Sequence, residues 1–327
     1  MTVLLDDAAV RTAFDWRAAV DTLRETYAGD VDGTRFPTRT MARGDQSWLR
    51  TLSGVPAGDR LMGSKLIAFA ASTGRASYLI ALFDQHDASL VAMLDGNAVT
   101  GFRTAATSAL ATDLLAPAGP LHVAVIGSGF EASNHLHALA AVREIARATV
   151  FSPRPESRRR FVDGFADTGI DVSAASSAEA AVAESTLVVC AARSRDETPT
   201  FLGSWLRPGM TVVSIGSTLP EQREVDPETL RRADVVVADV LDEVVEQTGD
   251  AIAARNAGVD VGARARSLSD LVSGRCPGRR APEQIAVYKS VGSAVQDLAV
   301  AQMCVRRAQQ QTAAEFETTS IVRAVAK

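Results

Sequence analysis

The sequence is poor in the residues that form disulfide frameworks and metal sites. It has three cysteines and four histidines in 327 residues. Cys190, Cys276 and Cys304 are odd in number and too far apart for a C-x-x-C motif, so we predict isolated thiols. His135 and His137 lie two positions apart in a predicted helix and therefore point to different faces. The sequence thus predicts no metal site.

Long apolar runs and a surplus of basic residues are absent as well. Apolar runs such as those at 187–192 and 235–238 are far shorter than the ~20 residues that span a bilayer. A net charge of −5, from 34 basic and 39 acidic side chains, gives no general attraction to nucleic acid or anionic membranes. The first residues lack the basic and apolar regions of a signal peptide. We therefore expect a cytoplasmic protein without nucleic-acid or membrane partners.

What the sequence does contain is a glycine turn between a predicted strand and a predicted helix. The apolar run Val123–Ile126 is typical of a strand buried on both faces of a parallel sheet. Gly127, Gly129 and Ala132 follow as G-x-G-x-x-A. The first glycine permits a tight turn, the second lets a pyrophosphate approach the backbone, and the alanine packs close to the strand. Because a helix N-terminus also attracts phosphates, the stretch predicts a dinucleotide-binding site.

Strand and helix signals alternate after this turn. Apolar runs at 148–151, 187–192, 210–215 and 235–238 are separated by helical stretches. This order is typical of a doubly wound parallel sheet, so the predicted fold class is α/β. With 327 residues, 46% apolar and 22% charged, the chain is long enough for a second domain.

Two cations in the N-terminal third have unusual surroundings. The elements predicted there are a helix over 15–27 with Asp15 as its N-cap and strands over 62–70, 78–83 and 90–94. Lys65 lies inside an apolar strand, where it either snorkels from an edge or points into a site. Arg103 falls in the first turn of a helix predicted from residue 100, the unfavourable end for a cation. It therefore requires an anionic partner, either a structural carboxylate or a substrate.

The residue that distinguishes the two nicotinamide cofactors follows the second strand of a dinucleotide fold. An acidic residue there binds the ribose hydroxyls of NAD, whereas a basic one accommodates the 2′-phosphate of NADP. Here Ser152 stands at that point, and Arg154 and Arg158 follow it. We predict NADP(H) in preference to NAD(H). NAD(H) stays an alternative because Glu156 is also close and a basic first turn suits a solvated helix.

Five motifs are spread along the chain. The two longest are Arg103-Thr-Ala-Ala-Thr-Ser-Ala and Tyr288-Lys-Ser-Val-Gly-Ser-Ala-Val-Gln-Asp-Leu-Ala. The others are Gly63-Ser-Lys65, the glycine turn with His135, and Ser214-Ile-Gly-Ser followed by Arg223-Glu224 and Asp226. Together these motifs resemble those of the ornithine cyclodeaminase/mu-crystallin family, over nearly the whole chain.

The resemblance implies a two-domain architecture. A Rossmann dinucleotide-binding domain, with a doubly wound parallel sheet, would span residues 115–299. A smaller α+β domain, residues 1–114 completed by 300–327, would bind the substrate and form a homodimer. In this family a nicotinamide exchanges hydride with the α-carbon of an amino acid or imine. The implied partner is therefore a small-molecule amino- or imino-acid substrate.

The resemblance also implies roles for single residues. Lys65 and Arg103 would hold the substrate carboxylate. Lys65 would also act on the nitrogen, because neighbouring cations and a dry pocket lower the pKa of a lysine. By the same resemblance, Arg39 is a candidate for a second carboxylate clamp, Ser77 would be a hydroxyl near the substrate, and Asp297 would be either an orienting or proton-handling group or a structural one. The predicted cofactor contacts are Gly127, Ser128, Gly129, Phe130, Glu131, Ala132, Ser152, Arg154, Arg158, Ser290, Val291 and Gly292.

One position departs from the family pattern. Cyclodeaminases carry Gly-Asp after the switch-point strand, where this sequence reads Gly216-Ser-Thr218. The Thr218 hydroxyl can contact a substrate but cannot serve as the base that frees an attacking amine. The departure favours an NAD(P)H-dependent reductase of ketimines or α-imino acids, or an amino-acid dehydrogenase. Its substrate would be a cyclic imine or an imine formed from a 2-oxo acid and an amine. A cyclodeaminase and a non-catalytic mu-crystallin-like binding protein are the alternatives.

Overall fold

The computed structural model describes residues 2–29, 31–58, 60–192, 198–311 and 325–326. The chain divides into two compact units, Met1–Arg103 with Ser293–Lys327 and Thr104–Gly292. The boundaries predicted from the sequence, at 114/115 and 299/300, both fall within helices, Gly96–Leu115 and Ala294–Gln311. Within the described ranges, no helix is long and apolar enough to cross a membrane.

The first unit is built around a largely antiparallel sheet. Its described strands are β1 (Val3–Leu5), β2 (Thr40–Arg43), β3 (Ser47–Gly54), β4 (Leu61–Ala70), β5 (Arg75–Asp84), β6 (Leu90–Asp95) and the short strand Val325–Ala326, which pairs with β5. The order is β1-β6-β5-β4-β3-β2, and only β1 and β6 form a parallel pair among them. The three strands predicted for this part of the chain are confirmed.

In the described part of this unit, three helices and part of a fourth pack beside the sheet. They are α1 (Asp7–Ala13), α2 (Trp16–Ala28), the start of α3 (Gly96–Leu115) and the C-terminal helix (Ala294–Gln311). Asp15 caps α2 as predicted, because its carboxylate accepts the N–H of Ala18 at 2.8 Å. Val20, Leu23 and Tyr27 then lie buried on one face of α2.

Helix α3 begins earlier than the sequence predicts. Asp95 ends β6, and its carboxylate accepts the N–H of Asn97 at 2.8 Å, so the helix starts at Gly96 directly after the strand. Gly96 also lies close to Tyr78, because a Cβ at this glycine would approach the Tyr78 Cβ to 3.0 Å. Arg103 therefore lies beyond the first turn. The prediction that it occupies the unfavourable end of a helix is wrong.

The second unit is a doubly wound parallel sheet, which confirms the predicted α/β class. Its strands are β7 (Leu121–Ile126), β8 (Ile145–Phe151), β9 (Val172–Ala174), β10 (Leu187–Cys190), β11 (Thr211–Ser214), β12 (Val235–Ala238), β13 (Ala265–Ser267) and β14 (Ala286–Lys289). Their order is β13-β12-β14-β11-β10-β7-β8-β9, and every pair is parallel. The helices between them are α4 (Phe130–Ala140), α5 (Pro155–Asp163), α6 (Ala178–Val182), α7 (Pro227–Arg232), α8 (Leu241–Gln247), α9 (Gly249–Asn256) and α10 (Leu268–Val272).

Strand register brings the functional loops of this sheet to one edge. The last residues of six strands pair across the sheet in one row: Phe151, Ile126, Cys190, Ser214, Lys289 and Ala238. The loops that begin at Gly127, Ser152, Ile215 and Ser290 therefore leave from the same carboxyl edge. In open parallel sheets, ligands bind at this edge, next to the strand where the order reverses. That strand is β7, which pairs with β8 on one side and β10 on the other.

Candidate active site

Three charged side chains meet inside the first unit. Lys65 comes from β4, Arg103 from α3 and Asp297 from the C-terminal helix. One carboxylate oxygen of Asp297 lies 2.7 Å from the Lys65 Nζ and 2.8 Å from the Arg103 Nε. The side chains are 1%, 7% and 0% exposed, respectively, so water screens the contacts little. The structure thus brings together the three residues predicted to be catalytic, and we call them the Lys65 cluster.

A polar chain holds the Arg103 guanidinium from its other side. Arg103 Nη1 donates to the side-chain oxygen of Gln296 at 2.5 Å, and the amide of Gln296 donates to the Tyr27 hydroxyl at 2.9 Å. Gln296 and Asp297 are adjacent on the C-terminal helix. Within the first unit, Asp297 thus provides an anionic partner for Arg103.

The environment of Lys65 changes its protonation. Burial disfavours the charged form and lowers the pKa of Lys65 from 10.5 to about 7, with Asp297 opposing this shift and the charges of Arg103 and Arg39 adding to it. A lysine with a pKa near 7 can both hold and release a proton at neutral pH. Lys65 also donates to the Thr100 hydroxyl at 3.4 Å. It is therefore suited to proton transfer.

Two other predicted substrate residues differ in their placement. Arg39 is half-buried just before β2, and its charge acts on Lys65. Ser77 lies opposite Ala68, whereas Lys65 lies opposite Ile80 on the same pair of strands. Since neighbouring residues of a strand alternate between faces, Ser77 points away from the face that carries Lys65. The structure therefore separates Ser77 from the Lys65 cluster, a relation that only the strand register reveals.

The glycine turn of the second unit has room for a phosphate group. Gly127 has a φ of +117°, and a Cβ there would come within 2.6 Å of the Ala191 carbonyl oxygen. A Cβ at Gly129 would meet no atom within 4 Å, so this side of the turn is open. Gly129 precedes α4 without a side-chain cap, and Ala132 is fully buried. The open backbone at a helix N-terminus fits a dinucleotide pyrophosphate.

The other predicted residues of this turn are arranged around it. Phe130 is exposed, Glu131 is half-buried in the first turn of α4, and the Ser128 hydroxyl donates to the Ser152 hydroxyl at 2.9 Å. The last contact links the glycine turn to the residue that follows β8. Ser152 is thereby placed where a dinucleotide fold carries its ribose-binding residue.

The two predicted arginines at the cofactor edge have different surroundings. Arg158 donates to the Ala175 carbonyl at 2.9 Å and lies over the ring of Phe151 at 5.6 Å. Arg154 precedes α5, and its side chain is 77% exposed, with its Nε 4.0 Å from Glu156. Arg158 therefore supports the local structure, while Arg154 is accessible to a ligand.

The loop Ser290–Gly292 is fixed by a residue that sequence reasoning missed. Asp239, directly after β12, accepts the Ser290 hydroxyl at 2.7 Å and the backbone N–H groups of Val291 and Gly292 at 3.0 and 2.8 Å. Gly292 has a φ of +80°, which favours glycine. The available signal was an acidic residue directly after a buried strand.

His135 and Thr218 are both held by neighbours in their own unit. The His135 Nδ1 lies 2.7 Å from the Glu131 carbonyl oxygen and its Nε2 3.0 Å from the Ser108 hydroxyl, and burial lowers the pKa of His135 to about 4. Thr218 donates from its N–H and hydroxyl to the side chain of Gln222 at 3.0 and 3.2 Å.

Among the described side chains, no group of histidine, cysteine or acidic residues could hold a metal ion.

The second unit is a doubly wound sheet with an open glycine turn, and the first unit buries a lysine, an arginine and an aspartate in contact. These features define a two-unit protein of the Rossmann dinucleotide-binding class. The sequence pattern of the ornithine cyclodeaminase/mu-crystallin family matches residues 18–312. The chain belongs to this family, as its motifs predict.

Two reductases are among the proteins to which this chain is similar. The chain is 29% identical to ketimine reductase mu-crystallin of Mus musculus over 284 residues, 84% of this chain and 86% of that protein. It is 30% identical to Delta(1)-pyrroline-2-carboxylate reductase of Paracoccus denitrificans over 298 residues, 89% of this chain and 92% of that protein. Among solved structures, Thermococcus litoralis Delta(1)-pyrroline-2-carboxylate reductase in complex with NADH and L-proline is similar to this chain, with a TM-score of 0.87 and 25% sequence identity. The match covers 94% of this chain and 98% of that one.

Proposed function

We propose that this protein reduces the C=N bond of a ketimine or α-imino acid with a nicotinamide nucleotide, which gives an amino acid. The Lys65 cluster carries the proposal, because it joins a titratable amine to a fixed guanidinium. The similar ketimine and pyrroline-2-carboxylate reductases support the same reaction class. Cyclic imines and imines formed from a 2-oxo acid and an amine both belong to this class.

Each side chain of the Lys65 cluster has a separate role in the proposed reaction. When bound, the nicotinamide supplies a hydride to the imine carbon. Arg103 attracts the substrate carboxylate with its guanidinium charge. Lys65 donates a proton toward the imine nitrogen, and Asp297 fixes the positions of both cations. Imine, hydride and proton together yield the amine, so the hydride from the nucleotide and the proton from Lys65 balance the reduction.

The identity of position 218 favours reduction over cyclodeamination. A cyclodeaminase needs a base for the side-chain amine of its substrate, and the Thr218 hydroxyl is instead engaged with Gln222. We expect no ammonia or proline from ornithine with catalytic NAD(P)+, but stoichiometric NAD(P)H oxidation with preformed cyclic imines or with 2-oxo acids plus amines. Purified protein is assayed for ammonia, proline and absorbance at the nicotinamide band.

Two results would contradict this assignment. Cofactor-catalytic conversion of ornithine to proline would show a cyclodeaminase in which another carboxylate, such as Glu221, supplies the base. Nucleotide binding without oxidation across the whole imine panel would instead favour the non-catalytic binding protein.

NADP(H) is the proposed cofactor, on the strength of Ser152 and the exposed Arg154. Replacing Arg154 with alanine is expected to weaken NADPH binding on the order of tenfold and NADH binding much less, because only the 2′-phosphate makes a charge-assisted hydrogen bond. Dissociation constants from nucleotide fluorescence measure the difference. Arg231→Ala removes an exposed arginine elsewhere in the same unit and serves as the control. Equal losses for both nucleotides, or a wild type that prefers NADH, would reject the NADP assignment.

A homodimer is proposed as the assembly. The sheet face of the first unit opposite to Lys65 carries apolar side chains that stay partly exposed, namely Leu49, Leu66, Leu79 and Met93. Packing such a face against a second copy would remove this apolar surface from water.

A further inference from the structure

A second buried cluster of charges lies in the second unit, outside the Lys65 cluster. Lys289, the last residue of β14, places its Nζ 2.8 Å from an Asp250 carboxylate oxygen and 3.0 Å from the Ser214 hydroxyl. Glu224 completes the group, because the Ser214 hydroxyl donates to its Oε2 at 2.7 Å. Lys289, Asp250 and Glu224 are all between 0% and 1% exposed as residues. The proposed reaction uses none of them.

The Glu224 carboxylate holds the loop that follows β11. Its Oε2 accepts the backbone N–H of Gly216 at 2.7 Å in addition to the Ser214 hydroxyl. The contact is close, since a Cβ at Gly216 would come within 2.4 Å of the Glu224 Oε1. Lys289 adds a hydrogen bond to the Ser217 carbonyl at 3.2 Å. Buried charge thus fixes the start of the loop that leads to Thr218.

This loop leaves the sheet at the nucleotide-binding edge. Ser214 pairs with Cys190 of β10, and Cys190 pairs with Ile126 of β7, directly before the glycine turn. The loop after β11 is therefore two strands away from the turn that fits the pyrophosphate. On this edge of a doubly wound sheet it borders the other half of a bound dinucleotide.

The charges of the cluster do not balance when every group is ionised. Among the described side chains, one cation, Lys289 on β14, faces two carboxylates, Asp250 on α9 and Glu224, and the thiol of Cys190 on β10 is a further titratable neighbour. Burial raises the pKa of Glu224 to about 7, with Lys289 lowering it and Asp250 adding to the rise, and the pKa of Cys190 lies well above its usual value. The Cys190 thiol is therefore neutral near pH 7, where Glu224 titrates.

A proton on Glu224 has a place that leaves the loop contacts intact. The buried Oε1 makes no hydrogen bond within the described residues, whereas both donors from the loop meet Oε2. Protonation at Oε1 keeps both contacts but removes their ionic character. Because charge-assisted hydrogen bonds are stronger than neutral ones, the protonated form holds the loop more weakly.

We propose that Glu224 is a positioning residue for the nicotinamide nucleotide, holding the loop 216–218 firmly when ionised and loosely when protonated. The inference rests on the proposed function, because it requires a nicotinamide nucleotide at this edge. It adds a residue that acts through the loop without touching the substrate.

Direct titration with NADH between pH 6 and pH 8.5, without any imine, tests the proposal. NADH is the probe because phosphate monoesters, such as the 2′-phosphate of NADPH, titrate near pH 6 themselves, with a pKa of about 6. The wild-type Kd is expected to be about five- to tenfold weaker at pH 6 than at pH 8. Glu224→Gln keeps the shape without the charge, so its Kd should be independent of pH and close to the wild-type value at pH 6. Glu228→Gln, an exposed residue on α7, should keep the wild-type profile.

Each outcome of this titration either supports or overturns the inference about Glu224. A wild-type affinity that is constant across the range, or a Glu224→Gln variant with the wild-type profile, overturns the inference and leaves the proposed function standing. A wild type that binds neither NADH nor NADPH overturns both. If Glu224→Gln does not fold, the Ser214→Ala variant tests the inference instead. This variant removes one donor to the ionised carboxylate and should move the midpoint of the profile to higher pH. An unmoved midpoint rejects the proposal.

Discussion

Replacing Lys65 with methionine is expected to lower kcat/KM for a carboxylated imine by roughly 10²- to 10⁴-fold, the usual contribution of a positioned proton donor. Methionine has a similar length and no charge, so it fills the buried site without a proton to give. In the wild type, kcat/KM should fall as the pH rises through about 7, because the pKa of Lys65 is lowered to about 7 and its protonated form is needed. The variant should lack this decline.

The arginine variant separates charge from proton transfer. Lys65→Arg keeps a cation for the substrate carboxylate but cannot release a proton in this pH range. We expect its KM to stay closer to the wild-type value than its kcat does. The measurements are initial rates of NAD(P)H oxidation between pH 6 and pH 9. A Lys65→Met variant with more than a tenth of wild-type efficiency would show that another group protonates the imine.

Replacing Asp297 with asparagine is expected to lower the free energy of unfolding by about 3–5 kcal/mol, because it leaves two buried cations without their carboxylate. Asp297 is 0% exposed and contacts both Lys65 and Arg103. The loss should be larger at pH 6 than at pH 9. Lys65 is charged below its pKa of about 7 and neutral above it, so at pH 9 only Arg103 lacks its partner.

Denaturant unfolding at the two pH values measures this difference. Asp21→Asn is the control, since Asp21 is 57% exposed and lies 3.7 Å from Arg17 on α2. Such exposed pairs contribute at most about 1 kcal/mol. An Asp297→Asn midpoint equal to that of the wild type, or an equal loss at both pH values, would refute the assigned role of Asp297.

Local sequence patterns predicted the elements whose signals lie within a few neighbouring residues. Asp15 and the apolar spacing behind it predicted α2, and the glycines after Ile126 predicted the turn at the cofactor edge. Helix α3 shows the limit of such patterns. Its apolar face suggested a start at residue 100, but the carboxylate of Asp95 starts the helix at Gly96. A cap that belongs to the preceding strand does not show in the periodicity of the helix.

The contacts of the site depend on pairings across long sequence distances. Lys65 and Asp297 are 232 positions apart, and only the packing of the C-terminal helix brings them to 2.7 Å. The position of Ser77 depends on the register between β4 and β5, which the sequence of either strand alone does not determine. Lys289 shows the same local signal as Lys65, a lysine within an apolar strand, but nothing nearby in sequence reveals Asp250.

The two buried lysines have a consequence for how the protein can be observed. The chain has three lysines, and the third, Lys327, lies outside the described residues. Arginine therefore supplies nearly all of the 34 basic side chains and stays protonated at biological pH. Incorporating ¹⁵N at the lysine Nζ atoms would give a spectrum of three signals. Two of them would report the proton occupancy of Lys65 and Lys289 in the unaltered protein, one for each unit.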